Sequence, residues 1–240
     1  MLLYNLKLLA LPYFIFLQLN TKPTPTVVEL FTSEGCSSCP PADKLLTSAQ
    51  SNFGNEIIVL SYHVDYWDRL GWKDPFSKAI FSERQRTYSQ KLNPSSVYTP
   101  QAIVNGQVQF VGSDKKLLWN SIAKNKSKDD KAVVLNITKQ NKDIFNLDYE
   151  FEGLKKNEVI IIELVLKIAT VQVKNGENGG NTLSHSNIVQ NMITKSTAKG
   201  NDSFIIPPNA TPENYLLVAF VQNTTTLEID HAVQIPLTNK

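Results

Sequence analysis

At 240 residues and 42% hydrophobic content, the chain can build one large domain or two small ones, each with a real core. Its 24 basic and 22 acidic side chains leave a net charge of +2, and no basic stripe with interleaved aromatics occurs, which argues against nucleic acid as a partner. There are only two cysteines, so a zinc site built from two cysteine pairs is excluded.

Residues 1–25 read as a signal peptide or an N-terminal anchor. Lys7 supplies a positive start, and residues 8–19 form an apolar stretch broken by Pro12. That stretch is short for a membrane span and suited to a signal-peptide core. The mature protein is therefore expected in the periplasm or outside the cell, where a disulfide persists. A membrane would be met only through this segment, left uncleaved. No cysteine follows the apolar stretch directly, so a lipoprotein anchor is not expected.

Residues 26–32 (TVVELFT) predict a strand, and Ala42, Leu45, Leu46, Ala49 and Phe53 mark one face of a helix over 42–53. A second apolar strand over 55–62 completes a strand–helix–strand crossover, the unit of an α/β domain. Between the first strand and the helix lies Cys36-Ser37-Ser38-Cys39-Pro40-Pro41. Two cysteines at that spacing suit a dithiol that closes into a small disulfide ring, and a helix N-terminus favours the thiolate. Pro40-Pro41 removes two backbone donors, and Pro41 disfavours helical geometry at Pro40, so the helix is expected to start only at Pro41.

An excursion over 63–97 follows, carrying His63, Asp65, Trp67 and Trp72, with Asp74-Pro75 as a helix start. His63, Asp65 and Trp67 stand at the carboxyl end of a parallel strand, the edge where α/β sites gather. They are candidates for a proton relay or pocket wall. Equally, the tryptophans suit plain packing over the sheet. Strands over 101–104 and 107–111 flank Asn105-Gly106, a two-residue hairpin signal. Ser113 is placed to cap a last helix reaching about Lys124, and the Lys- and Asp-rich run over 124–131 reads as a linker. Beyond it, strands are expected over 132–138, 144–151, 159–173, 203–206, 215–222 and 227–235, separated by polar turns, as in a small antiparallel β-sandwich. Residues 178–187, NGGNTLSHSN, read as a glycine-rich polar loop able to fold over the cysteines and present His185. His231 falls in a strand pattern and is expected simply to be partnered there.

The order strand, CxxC, helix, strand, excursion, Thr99-Pro100, hairpin and helix resembles a thioredoxin-like domain. The stretches LFTSEGCSSCPPAD, LSYHVDYWDRLGWKDPFS, ERQRTYS, VYTPQAIVNG and GENGGNTLSHSNIV are similar to the secreted bacterial family known as domain of unknown function 1223. The resemblance implies an α/β thioredoxin-like domain over 26–127, a central mixed sheet with flanking helices, followed by a β-rich domain over 131–240. It implies a cis-proline at Pro100, with Thr99 meeting substrate backbone. Cys36 would be the attacking sulfur and Cys39 the resolving one. The strand before the cysteines has Leu30 and Phe31 where many thioredoxins keep a buried acid, so Glu29, Glu34 and Asp65 are candidate bases.

The reading is a thiol–disulfide oxidoreductase acting on a protein or small-molecule thiol or disulfide, with no cofactor beyond its own disulfide. Two alternatives stand beside it. Cys36 and Cys39 with a histidine such as His63 would suit copper(I), which favours soft thiolates. Or the disulfide is structural and the β-rich half docks a partner.

Overall fold

A computed structural model describes residues 24–92, 97–124, 133–141 and 143–237. Residues 1–23 of the expected leader and 125–131 of the expected linker lie outside the described residues. Strands β1 (Thr26–Thr32) and β2 (Ile57–His63) run parallel in continuous register, Thr26 opposite Ile57 and Thr32 opposite His63. Helix α1 (Pro40–Phe53) crosses between them. Both strands are buried along their whole length, as parallel strands covered on two faces are. Helix α2 (Ala79–Leu92) packs on the opposite face from α1. Asp74-Pro75, expected to open that helix, instead lies in a turn five residues upstream, where the Asp74 carboxylate accepts from Phe76 N and Glu34 N.

Strand β3 (Gln101–Val104) joins β1 antiparallel and turns through Asn105-Gly106 into β4 (Val108–Val111). Both turn residues have positive φ, 45° and 68°, the geometry a two-residue hairpin demands. Helix α3 (Lys115–Lys124) is capped by Asp114, whose Oδ1 accepts from Leu117 N at 2.9 Å, and not by Ser113. A side chain at 114 reaches the first free N–H groups, while one at 113 is a residue too early.

The later strands are β5 (Val134–Asn141), β6 (Ile144–Glu150), β7 (Glu158–Gln172), β8 (Thr182–Lys195), β9 (Lys199–Ile205), β10 (Tyr215–Asn223) and β11 (Ile229–Pro236). Four of them extend the first sheet into an eight-stranded mixed sheet of order β11-β10-β7-β8-β2-β1-β3-β4, and β5-β6-β9 form a separate antiparallel sheet. The seam is narrow: β2 meets β8 at the single parallel pair Ser61 and Ile188, secured by Ser61 Oγ donating to Ser186 O at 2.9 Å.

Alternation along β1 sorts its side chains to two cores. Val28 and Leu30 pack with Ala42, Leu46, Phe110 and Leu118 under α1 and α3. Val27 and Phe31 pack with Tyr62, Phe81, Tyr88 and Phe220 under α2. A third core, with Phe145, Leu147, Ile162, Leu164, Phe204 and Leu217, fills the space between the two sheets.

Candidate functional site

Cys36 and Cys39 are joined as a disulfide, with Cα atoms 5.4 Å apart, and both residues are fully buried. Cys36 N donates to Ser33 O and Cys39 N to Cys36 O, each at 3.1 Å, so the loop is wound tightly onto the end of β1. Cys39 stands at the helix N-cap, and its carbonyl accepts from Ala42 N and Asp43 N. The helix begins at Pro40, not at Pro41. The missing proline N–H falls among the first-turn donors that lack a helical partner anyway.

A turn between β7 and β8 covers this loop. Asn178, buried, donates through Nδ2 to Glu34 O at 2.9 Å and to Cys36 O at 3.0 Å. Ser37 N donates to the Glu177 carboxylate at 3.0 Å, which holds that exposed carboxyl below its usual range. Gly176 has a φ of +75° and passes close enough to Trp72 that a Cβ would stand 3.3 Å from the tryptophan Cβ. The residues read as one polar loop therefore divide: the turn closes over the disulfide, and from Thr182 onward the chain is strand β8, which carries His185.

Glu34, at the start of the cysteine loop, belongs to a buried cluster of carboxylates and imidazoles. His63 Nδ1 donates to Asp74 Oδ2 at 2.6 Å, and Glu34 N donates to the same oxygen at 2.8 Å. Burial opposes ionisation of Asp74, but the His63 ring and two backbone donors outweigh it and hold the carboxyl below the usual range. Trp72 Nε1 donates to Glu34 Oε2 at 2.6 Å. His185 sits edge-on to the His63 ring at 4.8 Å, with Nε2 3.4 Å from Glu34 Oε1 and Nδ1 3.6 Å from Asp43 Oδ2. Those are ion-pair distances without hydrogen-bond geometry. Burial pushes the imidazole pKa down, but the two carboxylates prevail and raise it to about 9. Among the described residues, the buried side-chain atoms lacking a hydrogen-bond partner are Glu34 Oε1, His63 Nε2, both His185 nitrogens and Glu163 Oε2. Four of the five belong to this cluster.

The Thr99–Pro100 peptide is cis, and Pro100 is buried. Trp67 Nε1 donates to Thr99 Oγ1 at 2.9 Å, and a Cβ on Gly35 would stand 3.1 Å from Trp67 Cβ, so Trp67 bridges the cysteine loop and the chain entering β3. Asp65 accepts from Ser82 Oγ at 2.5 Å, which ties it to α2. Glu29 points to the α2 face, where it accepts from Arg84 Nε at 2.6 Å and Tyr88 OH at 2.5 Å. His231 lies in β11 against the Phe151 ring, 4.8 Å between centroids.

Sequence reasoning missed one participant, Asp43, although it had a signal, since it lies one helical turn after Cys39 and so on the same face. The loop with Glu177 and Asn178 was legible as a cover for the cysteines, but the particular bonds to Ser37 N, Glu34 O and Cys36 O cross some 140 residues and no local pattern announces them. Among the described residues no three His, Cys, Asp or Glu side chains are placed to hold a metal ion, and no helix is long and apolar enough to cross a membrane.

The sequence pattern of the family described as "Protein of unknown function (DUF1223)" matches residues 27–222. Among solved structures, protein AGR_C_4864 from Agrobacterium tumefaciens is 25% identical, with a TM-score of 0.67 over 91% of this chain and 97% of that one. A domain of the outer membrane lipoprotein Omp28 from Porphyromonas gingivalis is 14% identical over 45% of this chain and 88% of that one, at a TM-score of 0.28. No curated protein matches the chain.

Proposed function

The chain belongs to the DUF1223 family of proteins of unknown function, and on that footing we propose that it is a thioredoxin-like thiol–disulfide oxidoreductase, secreted or periplasmic, cycling Cys36 and Cys39 between disulfide and dithiol. The observation that carries this reading is the setting of the disulfide. It closes at the N-terminus of α1, inside a parallel β–α–β unit, and its loop is flanked by Glu34, two residues before Cys36, and Asp43, one helical turn after Cys39, both members of a buried cluster of two histidines and three carboxylates. A structural staple needs no titratable groups beside it, whereas disulfide exchange must move protons as well as electrons.

In this reading Cys36 is attacked by, or attacks, the substrate sulfur, and Cys39 resolves the mixed disulfide. Thr99 and Pro100 position the substrate backbone, and Trp67 holds Thr99 in place. The substrate is a protein or small-molecule thiol or disulfide, and the disulfide is the only redox group required. Equilibration of the purified protein with glutathione or dithiothreitol, with Cys36→Ser as control, tests it. A potential of roughly −120 to −270 mV is expected, the range of known exchangers. A value below about −300 mV would make the disulfide structural and end the catalytic reading.

A further inference from the structure

Reducing a disulfide needs two protons, one on each sulfur. Both cysteines are fully buried, but the exposed Ser38 hydroxyl lies 3.4 Å from Cys36 Sγ and links that sulfur to solvent, so the proton of Cys39 is the one that calls for a donor within the protein. Of the bases suggested by sequence, Glu29 is committed to Arg84 and Tyr88 on the α2 face, and Asp65 to Ser82. Neither joins the cluster that flanks the cysteine loop. Asp43 does. Its N donates to Cys39 O, the i to i−4 bond of the helix, which sets its side chain on the same face one turn along. Its Oδ2 accepts from Thr32 Oγ1 at 3.4 Å and faces His185 Nδ1 at 3.6 Å. His185 in turn faces Glu34 on its other nitrogen, and its ring edge meets His63 and Phe76.

Asp43 also has an outlet. It is 7% exposed, and that margin opens on a groove of about 310 Å³ between α1 and the start of β8, walled by Lys44, Thr47, Thr182 and Ser184. His185 lies behind it, 2% exposed, with neither nitrogen hydrogen-bonded. An imidazole held between two carboxylates with both nitrogens unfilled is poised to take up and release a proton.

We propose that Asp43 and His185 form the proton relay of the Cys36–Cys39 couple, linking the α1–β8 groove to the sulfur of Cys39. The relay rests on the oxidoreductase reading and names how its protons move. A substrate thiolate attacks Cys36 Sγ and the S–S bond breaks. The electron pair departs on Cys39 Sγ, which takes a proton from the His185–Asp43 pair. A second thiolate attacks the substrate sulfur of the mixed disulfide, and Cys36 leaves as a thiolate and is protonated. The two substrate thiols lose two protons and two electrons, and the two cysteines gain them. His185 recovers its proton through the groove. In the oxidising direction the pair acts as the base that frees the Cys39 thiolate. Both residues are positioning and proton-transfer groups; Cys36 and Cys39 alone bond to substrate.

The test is the rate of disulfide reduction by dithiothreitol between pH 6 and 10, divided by the reagent's thiolate fraction. In the wild-type protein the corrected rate should be level up to about pH 9 and then fall as His185 loses its proton. His185→Gln and Asp43→Asn should each lie roughly tenfold lower with no bend, and Asp43→Glu should restore most of the rate. A folded variant that superimposes on wild type would overturn the relay. If neither variant folds, the wild-type profile still decides, since the absence of any bend between pH 8 and 10 refutes it. Failure of dithiothreitol to reduce the wild-type protein at any pH overturns the oxidoreductase reading itself, whereas a reducible couple with unchanged profiles overturns only the relay.

Discussion

Removing the side chain of Asn178 should unlock the disulfide. With Cys36 and Cys39 both at zero exposure, no reductant meets sulfur until the β7–β8 turn lifts. Asn178 holds that turn by two hydrogen bonds, to Glu34 O and Cys36 O. A typical internal hydrogen bond contributes a net of about 0.5–1.5 kcal/mol, so Asn178→Ala should make opening easier by about 1–3 kcal/mol. At about 1.4 kcal/mol per tenfold, that is roughly a 5- to 150-fold faster reduction wherever opening precedes exchange. The assay is pseudo-first-order reduction by dithiothreitol, quenched with a thiol-alkylating reagent and read as a mass shift. Glu177→Ala serves as the graded comparison. Its bond to Ser37 N is solvent-exposed, so its effect should be smaller and should fade with salt. Reduction of Asn178→Ala at the wild-type rate, in a protein that still folds, would show that the turn does not gate the sulfurs.

Other outcomes follow from the buried charges and the tight turns. The His185 imidazole is held at about 9, above its ordinary 6.5, so its contribution to stability is full below pH 6.5 and is lost as pH rises through 9. Urea unfolding at pH 6 and pH 9.5 should therefore show wild type losing on the order of 2–3 kcal/mol more than His185→Gln. Glu163 is raised to about 8, chiefly by burial, with Tyr62 OH donating to its Oε1 at 2.6 Å. Keeping the neutral acid favours folding below pH 4.5, and that advantage drains as pH rises to 8. Glu163→Gln should accordingly gain on wild type across that window in the same unfolding assay, and parallel curves would refute the assignment. Gly106→Ala should cost about 2–4 kcal/mol by urea unfolding, because Gly106 has a φ of +68° and a Cβ would stand 1.8 Å from Leu227 O, a backbone atom with little room to yield.

Local chemistry made the first half of the chain readable. The apolar runs of β1 and β2, the i, i+4 face of α1 and the Asn-Gly turn are each decided by neighbours within a few residues; β1 and the turn stand where the pattern puts them, β2 begins two residues later than the pattern puts it, and α1 begins one residue earlier. Strand β8 escaped because its first residues, Thr-Leu-Ser-His-Ser, are small and polar, and because it meets β2 at one pair only. A strand half open to solvent and half facing a polar cluster lacks the apolar alternation that a period-2 pattern detects. His185 itself stood out in the sequence, but its place on a strand and its partners did not, since Glu34 and Asp43 lie some 140–150 residues upstream. The start of α2 was misplaced for a different reason. Asp74 has the chemistry of a cap, but the carboxylate is drawn to His63 and to Glu34 N instead.

Two polar networks lie buried on opposite faces of the central sheet, and how well each is satisfied separates their roles. On the α2 face, Arg84 donates to Glu29, Gln222 and Tyr88, Tyr88 donates to Glu29, and Gln222 donates to Tyr88 and Leu227 O. The side chains of that network satisfy one another and fasten α2 to β1 and β10, with Glu163 on the same face bonded to Tyr62 and leaving a single oxygen, Oε2, unfilled. A satisfied buried network fixes geometry and resists change. On the disulfide face, Glu34, His63 and His185 leave four polar atoms unfilled. Holding such atoms away from water costs about 1–3 kcal/mol apiece, and a fold that needed only rigidity there would gain by replacing them with apolar groups of the same shape. Their retention beside the one sulfur pair of the chain fits groups whose protonation must change in the working cycle. It also makes the later strands part of the site, since His185 and the covering turn with Asn178 both come from them.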